Sequence, residues 1–473
     1  MKQEKVFARL FELIEKHYRQ RLQGRFVEYH EPRELKEVLG LEEQNEEEDF
    51  EQLFYWVEKY LKYAVNTSHP GYLNRMWAGA NLPSIIGEIV TAISNTSACT
   101  YETAPVSTLM EQYMLQELLN LVGFKNGVGQ MTTGSSNANM IAMMAARNTH
   151  SMRAKEQGLF AQAPLCAFVN ENAHYSMDKA VSILGIGTDH LIKVCSDDHG
   201  RMPPDKLEQA IEEAVQRGWV PFFVAATAGT TVRGSYDPIG LLLDMRERYG
   251  FWLHVDGAWG GAAVFSERLR LKFLSRLEES DSFTLDFHKM LGTSLMCNVL
   301  LFNGRSDILR RICSAGDESY IFRNGEHGET RDLGTLSLQC GRKVDALKLF
   351  LDWKFYGLQG LARRVERYYA LCCYAEEQIK AHPCLEMVAP RESFNVCFHY
   401  IAPPGFSQEE FTLALRARLQ QTERALVGTG YVMGQLVMRL LITNINVDEK
   451  GIDTFLNNVL AAGKKLSWQC AQA

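Results

Sequence analysis

The sequence lacks any long apolar run, because no segment approaches the roughly 18 consecutive apolar residues that a membrane-spanning helix needs. Its first residues lead directly into charged sequence with helical spacing, so we expect no secretion signal. An excess of basic residues is also absent, since 50 lysines and arginines stand against 57 aspartates and glutamates and give a net charge of −7. A chain with this balance has little attraction for nucleic-acid phosphates. We therefore predict that neither a membrane nor a nucleic acid is its partner.

The spacing of the eleven cysteines does not indicate a disulfide framework. Their number is odd, they are scattered, and only Cys372 and Cys373 are adjacent. No Cys-x-x-Cys pair is present, so the pattern predicts neither a set of disulfides nor a zinc site. We expect a soluble protein of the reducing cytoplasm that holds no metal.

The distribution of apolar residues predicts three parts. Helical spacing, as at Val6, Leu10 and Leu13, predicts an N-terminal helical arm over residues 1–65. Short apolar runs that alternate with helical stretches predict a large, mainly parallel α/β domain over 66–345. Renewed helical spacing and two later strand candidates predict a small C-terminal α+β domain over 346–473. The predicted strands are 165–169, 220–226, 251–255, 299–302, 395–400 and 437–443.

The first candidate for chemistry is a segment of small polar residues ahead of an alanine- and methionine-rich helix, Gly134-Ser135-Ser136-Asn137. Backbone N–H groups and hydroxyls at the positive end of a helix dipole can hold a phosphate. An ordinary N-cap has the same appearance, so this motif alone leaves both interpretations open.

Two charged residues follow later in the chain. Asp256 ends an apolar strand and precedes a glycine-rich segment, where α/β proteins bind their ligands, although a turn or a helix cap would also use an aspartate. Lys289 follows another apolar stretch, and a lysine beside apolar groups loses its proton more easily and can attack an aldehyde. Most lysines, however, lie at the surface.

We call the segment 134–137 the phosphate cradle. The order of this cradle, His174, Asp256 and Lys289 along the chain favours one ligand. Pyridoxal 5′-phosphate has a phosphate, a flat ring, a ring nitrogen that accepts a proton, and an aldehyde that an amine can capture. The four features of the sequence match these four groups.

Further segments carry a wider pattern: Asn66-Thr-Ser-His-Pro-Gly-Tyr-Leu-Asn74, Asn95-Thr-Ser97, Thr100-Tyr-Glu-Thr-Ala-Pro105, His174-Tyr-Ser, Ala226-Thr-Ala-Gly-Thr-Thr231, His254-Val-Asp-Gly-Ala-Trp-Gly-Gly261, His288-Lys289 and Leu338-Gln-Cys-Gly-Arg342. With these segments the sequence resembles the group II pyridoxal-phosphate-dependent amino-acid decarboxylases over nearly its whole length. It is most similar to their glutamate and cysteine-sulfinate branch. The resemblance implies the fold type I α/β architecture and a homodimer with shared active sites.

The resemblance also implies a role for each matching residue. Lys289 would form the Schiff base with the cofactor, and Asp256 would pair with the pyridinium nitrogen. His174 would stack on the ring, Ala258 would lie beneath it, and Thr227 would lie near the ring hydroxyl. The residues around the phosphate would be Gly134, Ser135, Ser136, Asn137 and His288.

The implied reaction is the α-decarboxylation of a small acidic L-amino acid, of the aspartate, cysteine-sulfinate or glutamate class, to its amine and carbon dioxide. Asp256 would keep the ring nitrogen protonated, so that the ring can accept the electrons left behind. Tyr320, in Glu318-Ser-Tyr-Ile-Phe322, matches the mobile-loop tyrosine that protonates the substrate carbon. Loops of this kind in the family reach into the partner's active site.

Three residues bear on substrate choice. Arg439 matches the family arginine that holds a substrate carboxylate, a task suited to a planar guanidinium. Arg75 stands where the glutamate and cysteine-sulfinate enzymes usually have glutamine, and it could either favour a doubly acidic substrate or narrow the pocket. Ser97 matches a serine of the cysteine-sulfinate branch, which favours shorter acids.

One departure concerns the segment before the lysine. The usual Asn-Pro ahead of His-Lys reads Asp286-Phe287 here, which predicts a carboxylate near the phosphate region. Bacterial relatives of the wider group share this form.

Two other functions remain open from the sequence. One keeps the cofactor but takes an aromatic or basic amino acid, although like-charge repulsion from Arg439 and Arg75 argues against a basic side chain. The other is a catalytically silent homologue that acts as a binding protein, although none of the matched catalytic residues is missing.

Overall fold

The computed structural model describes residues 3–41, 47–151, 153–160, 162–322 and 332–470. These residues form fifteen α-helices. The longest, α13, is broken at Gly357. The helices are α1 Gln3–Gln20, α2 Pro32–Leu39, α3 Phe50–Tyr63, α4 Leu82–Ser94, α5 Pro105–Val122, α6 Ser135–His150, α7 Ala154–Gln157, α8 Ser176–Ile183, α9 Pro204–Gln216, α10 Ile239–Tyr249, α11 Glu267–Phe273, α12 Ile308–Cys313, α13 Ala346–Ala381, α14 Gln408–Gln421 and α15 Glu449–Cys470.

The same part of the chain forms twelve strands in two sheets. They are β1 Tyr72–Leu73, β2 Val128–Thr132, β3 Leu165–Asn170, β4 Leu191–Val194, β5 Val220–Thr227, β6 Trp252–Asp256, β7 Ser282–Asp286, β8 Asn298–Phe302, β9 Leu385–Met387, β10 Asn395–Tyr400, β11 Leu426–Val432 and β12 Gln435–Leu441. Contacts within the chain divide it into two units, one of residues 1–79, 371–389 and 396–473, and the other of residues 80–370 and 390–395. The division predicted at residues 65 and 345 stays a prediction.

The larger unit contains a seven-stranded sheet in the order β2-β8-β7-β6-β5-β3-β4. Neighbouring strands from β7 through β4 run parallel, whereas β8 is antiparallel to both β2 and β7. Every residue of β3, β6, β7 and β8 is buried, which explains the mainly apolar runs of β3, β6 and β8. The predicted mainly parallel α/β sheet is therefore present.

Helix α6 provides much of the core of this unit. Its small and unbranched side chains, among them Ala138, Ala142 and Met143, are buried in one cluster with residues of β3, β5 and β8. Alanine lets a helix approach a sheet closely, and methionine adapts to irregular gaps. This packing fixes the N-terminus of α6 beside the sheet.

The smaller unit contains the five-stranded sheet β1-β11-β12-β10-β9. Strands β11 and β12 form a hairpin in which Val432 pairs with Gln435, and the two turn residues, Met433 and Gly434, both have positive φ. Strand β10 has the bounds that the sequence predicts. Helices α1 and α3 lie in this unit and contact each other.

None of the helices within the described ranges is both long enough and apolar enough to cross a membrane.

Candidate active site

The carboxyl ends of three neighbouring strands bring several predicted site residues to one edge of the large sheet. Thr227 at the end of β5 pairs in register with Asp256 at the end of β6, and Asp256 pairs with Thr284 of β7. Asp286 ends β7 two residues later. Ligands of open α/β sheets bind at this edge.

Asp256 is buried and hydrogen-bonded at both carboxylate oxygens. Its Oδ2 accepts a bond from Asn139 Nδ2 at 2.8 Å, and its Oδ1 accepts one from the backbone N–H of Ala258 at 3.1 Å. Ala258, predicted to lie beneath the cofactor ring, is thus adjacent to the carboxylate. These bonds fix the orientation of the carboxylate and leave a lone pair on each oxygen.

A chain of buried hydrogen bonds orients Asn139. Its Oδ1 lies 2.9 Å from Nε2 of His254, and Nδ1 of His254 lies 2.8 Å from Ser282 Oγ, which in turn accepts a bond from Trp252 Nε1. Burial lowers the pKa of His254 to about 4, so the ring is neutral at pH 7. Since the amide oxygen can only accept, Nε2 carries the proton. Every donor in this chain therefore points toward Asp256.

Lys289 lies next to a second buried carboxylate. Its Nζ is 3.0 Å from Asp286 Oδ2, and the Lys289 side chain is 20% exposed whereas that of Asp286 is 2% exposed. Asp286 Oδ1 accepts a hydrogen bond at 2.7 Å from Asn298, its partner across the β7–β8 pair. Burial by itself raises the pKa of Asp286, but the charges of Lys289 and His288 and the bonds from Lys289 and Asn298 outweigh this and lower it.

His174 follows β3 and is close to the same charges. Burial is the main cause that lowers its pKa, and the positive charge of Lys289 adds to this, whereas the carboxylates of Asp256 and Asp286 act in the opposite direction. Its Nδ1 accepts a hydrogen bond from the backbone N–H of Ser176 at 3.2 Å. His174 therefore lies within electrostatic range of Asp256 and Lys289.

The predicted phosphate cradle begins helix α6. Gly134 is the N-cap residue with φ of 116°, a conformation that favours glycine. Ser135 is buried, and its Oγ accepts a hydrogen bond from Asn298 Nδ2 at 2.9 Å. Ser136 is exposed and Asn137 is half-buried, so polar groups of this first turn are accessible.

Two further predicted cofactor residues, Thr227 and His288, have buried hydrogen-bond partners. The backbone N–H of Thr227 donates to Asp237 Oδ2 at 2.7 Å, and burial raises the pKa of Asp237 to about 6. Nδ1 of His288 lies 2.9 Å from the carbonyl oxygen of Cys297, and burial lowers the pKa of His288. The first contact joins Thr227 of β5 to the segment before α10, and the second joins His288 to the residue that precedes β8.

The predicted substrate residues divide between the two units. Arg439 and Arg75 lie in the smaller unit, where Arg439 is buried and donates from Nη2 to the carbonyl oxygen of Asn74 at 3.2 Å. Ser97 lies in the larger unit, and its Oγ accepts a hydrogen bond from the backbone N–H of Arg342 at 3.2 Å.

Among the described residues of the chain, no contact joins Tyr320 to Lys289. Its side chain is 83% exposed, in a turn where the N–H groups of Ile321 and Phe322 both donate to the carbonyl oxygen of Glu318. The single chain thus leaves this predicted proton donor in solvent.

Comparison with known proteins identifies the family. A family profile described as "Pyridoxal-dependent decarboxylase conserved domain" matches residues 32–401. The chain belongs to this family. Cysteine sulfinic acid decarboxylase of Mus musculus is 37% identical over 451 residues, which are 93% of this chain and 91% of the mouse protein. Acidic amino acid decarboxylase GADL1 of Bos taurus is 35% identical over 93% of this chain and 86% of the bovine protein.

A solved structure confirms the predicted fold class. The crystal structure of mouse CSAD in apo form has a TM-score of 0.92 and 34% identity, and the match covers 97% of this chain and 98% of the mouse chain. The protein is therefore a pyridoxal-phosphate-dependent decarboxylase of fold type I, as the motifs predict.

The groups at the sheet edge fit the family cofactor. The amine of Lys289 can capture its aldehyde, the carboxylate of Asp256 can pair with a protonated ring nitrogen, and the first turn of α6 offers N–H groups and a hydroxyl to its phosphate. His174 supplies a flat side chain close to the charges of Asp256 and Lys289.

Three residues of this site have no role in the predictions from the sequence: Asn139, His254 and Asn298. Asn139 follows Ser135 by four residues, which places it on the same side of α6, so helical spacing gives a signal for it. His254 precedes Asp256 by two residues and therefore shares its side of β6. The role of Asn298 depends on the β7–β8 register, for which the sequence contains no local signal.

Proposed function

We propose that this decarboxylase removes the α-carboxylate of a small acidic L-amino acid, of the aspartate, cysteine-sulfinate or glutamate class, and releases the amine and carbon dioxide. The observation that carries the proposal is the buried guanidinium of Arg439 in the smaller unit, which also contains Arg75. Both curated relatives described above are named as decarboxylases of acidic amino acids, which supports the same substrate class.

The surroundings of Arg439 support its role as a carboxylate partner. Burial lowers the pKa of Arg439, and the positive charge of Arg75 adds to this effect, although the guanidinium stays charged at neutral pH. Gly428 pairs with Arg439 across the β11–β12 hairpin, and a Cβ at Gly428 would lie 3.2 Å from Arg439 Nη2. A glycine therefore leaves room for the guanidinium, and an anionic substrate would relieve the repulsion between the two cations.

When bound, pyridoxal phosphate draws into its ring the electron pair that remains after carbon dioxide leaves. We assign to Asp256 the pairing with the ring nitrogen, because its carboxylate is oriented by Asn139 and Ala258 and retains free lone pairs. Lys289 holds the cofactor covalently between turnovers. His174 stacks on the ring, and its lowered pKa keeps it neutral and avoids a second positive charge near the lysine.

The remaining cofactor residues have binding roles in this proposal. Ser135, Ser136, Asn137 and His288 surround the phosphate, with the positive end of the α6 dipole behind them. Thr227 lies near the ring hydroxyl, next to Asp256 in register. Ser97 limits the length of the substrate side chain, which favours the shorter acids.

We assign the final proton transfer to Tyr320. Its phenol O–H is a donor that can give a proton to a strong base that forms nearby. Because Tyr320 is exposed in its own chain, we propose that it acts in the active site of a second subunit.

A homodimer is the assembly that this role requires, and exposed apolar residues support it. Leu82, Ile86, Val90 and Ile93 follow helical spacing along α4 and are exposed, and α5 exposes Val106, Leu109 and Tyr113 in the same way. Monomers rarely expose apolar faces of this kind. Sedimentation should give the mass of a dimer, and glutamate substitutions at Ile86 and Ile93 should weaken it, whereas a purely monomeric wild type would refute this assignment.

We further propose that the protein works in the reducing cytoplasm. Cys99, Cys166 and Cys297 are buried thiols outside any disulfide, and such thiols persist in a reducing compartment. Fractionation of the source cells tests this location.

A panel of amino acids tests the proposed reaction. We expect carbon dioxide release to be fastest with aspartate, cysteine sulfinate, cysteate or glutamate, and to depend on added pyridoxal phosphate. Faster turnover of tyrosine, lysine or diaminobutyrate than of every acidic candidate would refute the substrate class. A purified protein that shows no yellow cofactor absorption after addition of the cofactor would instead indicate a silent homologue.

A further inference from the structure

Lys289 is the first residue of a tight turn that its own backbone closes. The N–H of Gly292 donates to the carbonyl oxygen of Lys289 at 3.1 Å, and the N–H of Thr293 donates to that of Phe287, also at 3.1 Å. Gly292 has φ of 75°, a conformation that favours glycine. The position of the Lys289 backbone is therefore tied to that of residues 291–293.

A buried hydrogen-bonded group of polar side chains lies against this turn, and we call it the turn cluster: Asn81, Thr293, Asp352 and Arg364. Asp352 Oδ2 accepts hydrogen bonds from Thr293 Oγ1 at 2.6 Å and from Asn81 Nδ2 at 2.8 Å. Arg364 Nη1 donates to Asn81 Oδ1 at 2.9 Å and also to the carbonyl oxygen of Leu291. Two residues of α13 thus hold the turn through directional bonds.

Asn81 completes the contacts between the turn cluster and the turn. Its Nδ2 donates to the carbonyl oxygen of Leu291 at 3.0 Å, and its backbone N–H donates to that of Gly292 at 2.8 Å. Together with the hydroxyl of Thr293, each residue from 291 to 293 has a bond to the cluster.

The segment that follows the turn reaches the phosphate cradle. A Cβ at Gly134 would lie 2.5 Å from Met296 Cε, so the two residues are in close contact. Nδ1 of His288 lies 2.9 Å from the carbonyl oxygen of Cys297 at the end of the segment. Residues 291–297 therefore join the turn after the lysine to the N-terminus of α6.

The composition of the turn cluster is costly if stability is its only purpose. Burial raises the pKa of Asp352, whereas the bonds from Thr293 and Asn81 and the positive charge of Arg364 act in the opposite direction. Replacement of such buried groups by apolar side chains of the same volume is often neutral or even stabilising. A satisfied polar network does, however, fix one geometry, which apolar contacts do less well. The cluster therefore favours a role in geometry.

We infer that Asp352 is a positioning residue: through the hydroxyl of Thr293 it fixes the turn after Lys289 and thereby holds the lysine amine where it meets the aldehyde of the cofactor. The inference rests on the proposed function of Lys289. In the capture step the nitrogen of the neutral amine forms a C=N bond with the aldehyde carbon, and the carbonyl oxygen leaves as water with both amine protons. The rate of this step depends on the distance and direction between the two reacting atoms.

Thr293→Val tests the inference, because it removes the hydroxyl and keeps the shape of the side chain. Cofactor-free protein is mixed with saturating pyridoxal 5′-phosphate, and the growth of the yellow absorption of the lysine-bound cofactor gives the rate of capture. We expect Thr293→Val to slow capture about tenfold, whereas Thr293→Ser, which retains the hydroxyl, should stay within about twofold of the wild type. Equal slowing in both variants would show that the hydrogen bond is not the cause, and would overturn the inference.

Asp352→Ala tests whether the two residues act as one unit. It removes the acceptor of the Thr293 hydroxyl and should slow capture by at least the same factor. The double variant, Asp352→Ala with Thr293→Val, should be no slower than Asp352→Ala, since both changes break one hydrogen bond. Effects that multiply in the double variant would contradict a shared path to Lys289.

Thr91→Val is the matched control. Thr91 is a buried threonine of α4 in the same unit, and its Oγ1 donates to the carbonyl oxygen of Val344 at 3.3 Å. The substitution removes the same atoms outside the turn cluster, so it should leave the rate of capture unchanged. If Thr91→Val slowed capture as much as Thr293→Val does, the effect would be a general loosening of the unit and the inference would fall.

The outcome also distinguishes this inference from the proposed function. If borohydride fails to fix the cofactor to Lys289 in the wild type, the proposed function fails. If the wild type captures the cofactor, and folded Thr293→Val and Asp352→Ala capture it at the same rate, only the inference about Asp352 fails. Circular dichroism and the melting temperature verify that each variant is folded.

Discussion

The stability of the protein in mild acid should depend on His254, which is completely buried behind the cofactor site. Burial lowers the pKa of His254 from 6.5 to about 4, although the charge of Asp256 and a bond at Ser282 act against this. Because the folded pKa lies below the unfolded one, the unfolded chain takes up a proton first as the pH falls. The stabilisation is thus fully present above about pH 6.5 and is lost as the pH falls from there toward 4.

The magnitude follows from the size of the shift. A shift from 6.5 to about 4 corresponds to about 3 kcal/mol in the free energy of unfolding, of which about 2 kcal/mol is lost by pH 5. Asp237 acts in the opposite direction, because burial raises its pKa to about 6 and the cost of its ionisation disappears as the pH falls below 6. The pH dependence of the wild-type free energy of unfolding therefore contains the contributions of both His254 and Asp237. A variant is needed to separate them.

His254→Gln removes the titrating group and retains a donor toward Asn139. We expect urea unfolding, measured at about pH 7.5 and about pH 5 at one protein concentration, to show that the wild type loses about 2 kcal/mol more than the variant on acidification. Asp237→Asn should lose more stability in acid than the wild type does, since it lacks the compensating group. Equal pH dependence of the wild type and His254→Gln would refute the assignment of a buried neutral imidazole.

Lys289→Ala should abolish carbon dioxide release and leave a weaker, dialysable binding of the cofactor, whereas retained turnover would remove the lysine from its assigned role. Tyr320→Phe should still release carbon dioxide but should lose active cofactor by abortive transamination, and a variant indistinguishable from the wild type in both respects would contradict proton donation. Arg342→Met should lower the free energy of unfolding by about 3–5 kcal/mol, because it leaves the charge of Glu111 buried without its partner 2.6 Å away. The double variant Arg342→Met with Glu111→Leu should recover part of this loss, and no recovery would show that the charge is not the cause.

The large sheet and its ligand edge could be predicted from the sequence because they depend on local patterns. Continuous apolar runs correspond to β3, β5, β6 and β8, with ends that differ from the prediction by no more than one residue. Strands β2, β4, β7 and β11 were not among the predicted strands. In β11, Gly428 and Gly430 interrupt the apolar run, and strand propensity is weak where glycine serves a close approach.

The sequence by itself determined the family and the cofactor, and it predicts Lys289, Asp256 and His174 as site residues, since each lies in a short motif whose order along the chain is informative. Tertiary structure alone decided what surrounds them. Asn139 and Asp256 are 117 residues apart in the chain yet 2.8 Å apart in space, and Asp286 reaches Ser135 only through Asn298 on a neighbouring strand. Such contacts depend on strand order and register, which arise from the packing of the whole sheet and not from any one local motif.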